Sequence, residues 1–160
     1  MTSQAPLVVG IGASAGGIPA LEGFFRDFPA DSGMAVVVVT HLSPERPSLL
    51  HEVIGRFAPV PVLNAEEGAA LEPDHVYVMP EGRLMTLSDG HIRLRPAPRE
   101  RRARRPIDTF FASLAEDQGE NAVAIVLSGG DGDGTLGVKA VKEHGGITMA
   151  QAVEDQVGEE

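Results

Sequence analysis

The chain has no cysteine, which excludes disulfide staples and thiol catalysis and leaves the cytoplasm open as its compartment. No apolar run approaches the ~20 residues that a membrane-spanning helix needs. Met1 to Pro6 carry no charged segment leading into an apolar one, so neither a span nor a secretion signal is expected. Positive charge is scarce, with 13 Lys and Arg against 23 Asp and Glu for a formal net charge of −10. That balance argues against nucleic acid as a partner, because phosphate binding requires a basic face. What is present is 160 residues with 42% hydrophobic content, which suits one domain with a sizeable core. The expectation is a single cytoplasmic domain over residues 1–160, ending in an acidic tail, 151–160, that has no core stripe.

Apolar patterning predicts the fold class. Leu7–Ile11 and Met34–Val39 are nearly continuous apolar runs, as in strands buried on both faces, and a helix with Pro19 near its start lies between them. Its stripe is Leu21, Phe24, Phe25 and Phe28. Ser48 is placed to cap a helix reaching about Ala58, followed by short strands at Val60–Leu63 and Val76–Pro80. Arg83–Leu87 and His91–Arg95 flank Asp89-Gly90, a type I′ turn signal, and predict a hairpin at the rim of the sheet with one wet face. Pro96 to Pro106 holds five arginines without an apolar anchor beyond alanine and reads as a solvated loop. Pro106 opens a helix to about Gln118, Val123–Leu127 is the next strand, and Thr135–His144 is a helix with Leu136, Val138, Ala140 and Val141 inward. Ile147–Ala150 is a last strand. Strands alternating with helices predict an α/β fold: an open, doubly wound, mostly parallel sheet with helices on both faces and an inserted hairpin.

In such sheets ligands sit beyond the carboxyl ends of the strands. Gly12, Ser14 and Gly16 spell G-x-S-x-G at the first strand end, the turn that pushes a serine hydroxyl out and aims backbone N–H groups at an oxyanion. The same stretch spells G-x-G-x-x-A at Gly10, Gly12 and Ala15, a dinucleotide-binding turn. A dinucleotide site usually wants an acid at the end of the second strand, whereas this chain has Thr40-His41 there. A third reading makes the glycines a device for close packing. A serine nucleophile needs a base and the base an orienting group, roles that Ser14, His41 and Asp133 can fill from three strand ends. Asp131 and Asp133 among glycines resemble a calcium loop, but Thr135, Leu136 and Lys142 break the fuller template, so no metal is assigned. No cofactor is called for.

Taken together, Val9–Gly17, Thr40-His41-Leu42, Val76–Pro80, Leu127-Ser128-Gly129 and Asp133–Gly137 resemble the catalytic domain of the chemotaxis protein-glutamate methylesterases (CheB type), in one order from about Leu7 to Gln151. Pro29–Met34 and Leu114–Gly119 look most like the branch fused to a receptor methyltransferase. The resemblance implies hydrolysis of glutamate methyl esters on chemoreceptor signalling helices, with glutamine deamidation as a companion activity. It makes Ser14 the nucleophile, His41 the base and Asp133 the orienting acid, with backbone N–H groups at Ala15 and Gly130 facing the oxyanion. Partners implied are methyl-accepting chemoreceptors or similar methylated proteins, and a fused methyltransferase or receiver domain. Arg101, Arg102, Arg104 and Arg105 form a candidate docking strip for an acidic partner. Ala15 stands where the family often has Thr, and Gly130-Asp131 depart from its acid loop. The family's domain runs on past Gln151, so the chain is expected to lack that C-terminal part. The alternative to a serine hydrolase is a non-catalytic docking module of a larger signalling protein.

Overall fold

The computed structural model describes residues 6–13, 17–40, 50–100, 104–127 and 133–150. Six strands form one sheet in the order β3-β4-β2-β1-β7-β8: β1 (Val8–Ala13), β2 (Ala35–Thr40), β3 (Val62–Asn64), β4 (His75–Val78), β7 (Ala122–Leu127) and β8 (Ile147–Ala150). Every pairing in it is parallel. All residues of the two central strands, β1 and β2, are buried. Their valine-rich sequences suit strands covered on both faces.

The two-residue strand period divides the core in two. On one face Val9, Ile11, Val36 and Val38 pack with Leu21 and Phe25 of α1 (Ile18–Arg26) and Leu50 and Ile54 of α2 (Leu50–Gly55). On the other, Val8, Val37 and Val39 pack with Ile107, Phe110, Phe111 and Leu114 of α3 (Pro106–Gln118) and Val141 of α4 (Thr135–Glu143). Full burial of a side chain such as Phe25, Phe110 or Phe111 contributes about 1.5–3 kcal/mol. This is the doubly wound, parallel α/β fold that the patterning predicts.

Three expectations need correction. The hairpin of β5 (Arg83–Ser88) and β6 (His91–Pro96) does turn through Asp89 and Gly90 at positive φ, 53° and 73°. It packs on α3 rather than standing at the rim, and it keeps the wet face expected of it, with Ser88, Arg93 and Arg95 exposed. Met85, Leu87 and Ile92 join the core on one side, and Leu84 is buried on the other. The Leu87 N–H donates to Ser113 Oγ at 3.0 Å, and the Asp117 carboxylate accepts the N–H groups of Asp89 and Gly90 at 2.5 and 3.0 Å. Leu136, expected inward, is 66% exposed, while Gly137 and Val141 form the buried stripe of α4. The reason is close approach: a Cβ on Gly137 would lie 2.5 Å from Phe111 Cβ. The arginine run is not simply solvated either. Arg104 Nε donates to the Pro98 carbonyl, and Arg105 pairs with Asp108.

Candidate functional site

All six strands point one way, so their carboxyl ends share an edge. Ala13 is paired in register with Thr40 on one side and with Leu127 on the other. The chain leaves β1 toward β2 and later returns to its opposite side as β7, so the switch in strand order falls between β1 and β7. Crevices at such switches are where open α/β sheets bind ligands. Ser14 and His41 are the next residues in the chain after Ala13 and Thr40. They lie outside the described residues, as do Ala15, Arg101, Arg102, Gly130, Asp131, the Ser48 cap and the tail 151–160.

Asp133, the candidate acid, is described and buried. Its Oδ2 accepts the Ile107 N–H at 3.0 Å and its Oδ1 the Asp108 N–H at 2.8 Å, so the carboxylate straddles the first turn of α3. A helix N-terminus presents free N–H groups and favours negative charge there. The N-cap of α3 is Arg105, whose side chain cannot accept, and that of α4 is Gly134, which has no side chain. Each helix therefore borrows a cap from the other's sequence. Asp108 Oδ1 accepts the N–H groups of Gly134 at 2.9 Å and Gly137 at 2.8 Å. Asp108 Oδ2 receives Arg105 Nε and Nη2, both at 3.0 Å. Carboxylates buried this deeply are tolerated only when hydrogen-bonded or paired, and both conditions hold here.

Gly10 and Gly12 are inside β1, not in a turn, and they face α3. A Cβ on Gly10 would meet Leu114, Phe110 and Phe111 at 3.1 Å, and one on Gly12 would meet Ile107 Cγ2 at 2.6 Å. Close helix–strand packing accounts for both glycines, which removes the dinucleotide-turn reading from them. It also seats Ile107, whose N–H holds Asp133, directly against the strand that leads to Ser14.

A cleft of about 320 Å³ opens beyond β2 and β4, lined by Thr40, Met79, Pro80, Leu84, Arg104 and Pro106 among others. Its lining mixes apolar residues with the charged side chains of Glu81, Arg83 and Arg104. Thr40 is marked in the sequence only as part of the Thr40-His41-Leu42 strand end, and Asp108 is given no role there. An acid at the third position of a helix that begins Pro106-Ile107 was the available signal for Asp108.

Residues 9–159 match the CheB methylesterase family. The chain is 33% identical over 163 residues to protein-glutamate methylesterase/protein-glutamine glutaminase 1 of Myxococcus xanthus, an overlap covering 98% of this chain and 47% of that protein. It thus spans about half the length of that curated relative. It is also 43% identical over 104 residues to an uncharacterized 104.1 kDa protein of Rhodobacter capsulatus, covering 64% of this chain and 11% of that one. The solved catalytic domain of Thermotoga maritima CheB methylesterase superposes with a TM-score of 0.84 at 28% identity, covering 94% of this chain and 82% of that domain.

Proposed function

The chain belongs to the CheB methylesterase family, and we propose from this that it hydrolyses glutamate methyl esters on chemoreceptor signalling helices and deamidates glutamines there. The observation that carries the reading is the in-register ending of β1 and β2, Ala13 opposite Thr40, with Ser14 and His41 next in the chain. Ser14 Oγ attacks the ester carbonyl while His41 takes its proton, and Asp133 orients the imidazole and stabilises its charged form. Backbone N–H groups at Ala15 and Gly130 receive the oxyanion. Methanol leaves with the proton from His41, or ammonia when the substrate is glutamine. Water then releases the glutamate carboxylate by the same path in reverse. The cleft beside Thr40 takes the esterified side chain.

The arginine strip steers the acidic receptor surface through Arg101 and Arg102, with Arg104 and Arg105 adding charge while keeping their internal partners. The match to part of a 104.1 kDa protein is consistent with a domain that works inside a larger chain, as a fused methyltransferase or receiver would require. No helix among the described residues is long and apolar enough to cross a membrane.

The test is release of methanol from a methylated receptor peptide by the parent chain and by Ser14→Ala. Turnover in the parent that disappears in the variant supports the reading. Turnover that survives Ser14→Ala refutes it.

A further inference from the structure

Asp108 is a buried carboxylate to which the proposed chemistry assigns no part. Its hydrogen bonds nevertheless close a ring with those of Asp133. The Asp133 carboxylate accepts the Asp108 N–H at 2.8 Å, and the Asp108 carboxylate accepts the N–H of Gly134, the residue joined directly to Asp133, at 2.9 Å. Asp133 is thereby pinned on two sides, at its carboxylate by α3 and at the following peptide by Asp108. The Arg105 fork on Oδ2 leaves Oδ1 of Asp108 turned toward α4, where it also takes the Gly137 N–H at 2.8 Å.

We infer that Asp108 is a positioning residue for the reaction, setting where the Asp133 carboxylate stands and acting on His41 only through it. The inference rests on the assignment of Asp133 as the orienting acid. A cap for α4 alone would need only a polar side chain at its own N-terminus. Here the acceptor comes from the third residue of α3 and is held by a guanidinium, so the starts of α3 and α4 and Asp133 are tied to one another. A carboxylate has about four lone-pair positions on its two oxygens, and the N–H groups of Ile107 and Asp108 fix how that of Asp133 is turned. Rigid placement matters because a displacement of about 1 Å at a reacting constellation can cost about 10²-fold in rate.

The test compares Asp108→Ala, Asp108→Asn, Asp133→Asn and the double variant Asp108→Ala/Asp133→Asn, in the whole chain. Two quantities are read: kcat and KM on a methylated receptor peptide, and the pH titration of the His41 imidazole by NMR without substrate. Asp108→Ala is expected to lower kcat about 10²-fold with KM little changed. Asp108→Asn, which keeps an acceptor for Gly134 and Gly137, should lose less. In the double variant the Asp108 change should add nothing, because its route to His41 has gone. Asp133→Asn should lower the His41 pKa, Asp108→Ala should lower it part of the way, and the double variant no further than Asp133→Asn. If the two kcat losses multiply, or if Asp108→Ala lowers kcat while His41 titrates as in the parent, Asp108 is scaffold and the inference is overturned. If Asp108→Ala does not fold, Asp108→Asn carries the same comparison. Should the fragment turn over too slowly to measure, the His41 titrations decide. If Asp133→Asn leaves turnover and the His41 titration as in the parent, the acid assignment fails, and this inference with it.

Discussion

Adding one methyl group at Gly12 tests the packing that links β1 to the candidate acid. A Cβ there would sit 2.6 Å from Ile107 Cγ2 and 3.1 Å from both Cγ1 and Cδ1. The nearest atom belongs to a β-branched side chain held stiffly at χ1, so it cannot swing aside as the end of a long side chain would. Ile107 is only 2% exposed, and relief must come from shifting the first turn of α3. Overpacking of this kind costs about 1–3 kcal/mol. For a domain of this size that is a fall in Tm of about 2–12 °C, at roughly 2–4 °C per kcal/mol. Gly12→Ala should also reduce ester hydrolysis, because the Ile107 N–H holds Asp133 at 3.0 Å. Thermal unfolding of Gly12→Ala, Ile107→Ala and the double variant measures the contact. Ile107→Ala alone should cost about 2–5 kcal/mol as a cavity. The double variant should be less destabilised than the sum by about 0.5–3 kcal/mol, since the new methyl fills space the isoleucine vacated. Gly23→Ala is the control, because a Cβ there meets nothing within 4 Å, and it should stabilise α1 by about 0.5–1 kcal/mol. Simple additivity of Gly12→Ala and Ile107→Ala would refute the steric argument.

Asp133→Asn should lower turnover by on the order of 10⁴, the cost of losing the orienting carboxylate of a triad. Asp131→Gly should raise turnover, because a charge beside the oxyanion N–H opposes the developing negative charge; equal losses in both variants would mean that the two carboxylates act together. Charge reversal at Arg101 and Arg102 should weaken receptor association at low salt, and the difference should shrink as added salt shortens the ~10 Å screening length. Association unaffected at low salt would leave the strip a linker. Tyr77 is the chain's one tyrosine, so phenolate absorbance reports it alone. Burial pushes its phenol above the ordinary 10.0, opposed by the Glu72 N–H that it accepts at 2.9 Å. Its contribution to stability is therefore complete below that ordinary value and is lost as pH rises through the raised one. Identical phenolate titrations in folded and urea-unfolded chains would contradict this.

What the sequence by itself determined was whatever rests on near neighbours in the chain. Val36–Val39 read as a doubly buried strand because four consecutive β-branched residues suit no wet face, and Asp89-Gly90 announced its turn because both residues tolerate positive φ. The motifs around Ser14, His41 and Asp133 were legible for the same reason, being short runs at strand ends. Tertiary structure alone decided which distant residues share space. Gly10 and Gly12 fit a phosphate turn as letters, and only the arrival of α3 shows that they make room for Phe110, Phe111 and Ile107. Leu136 matched a helical stripe, but the near contact of Gly137 with Phe111 rotates that stripe away from it. The crossed caps joining Asp108 to Gly134 and Asp133 to Ile107 link positions 26 residues apart in each case. Propensity and periodicity carry no information over such a separation, because the hydrogen bonds exist only after two helices have been brought together by the burial of their apolar faces.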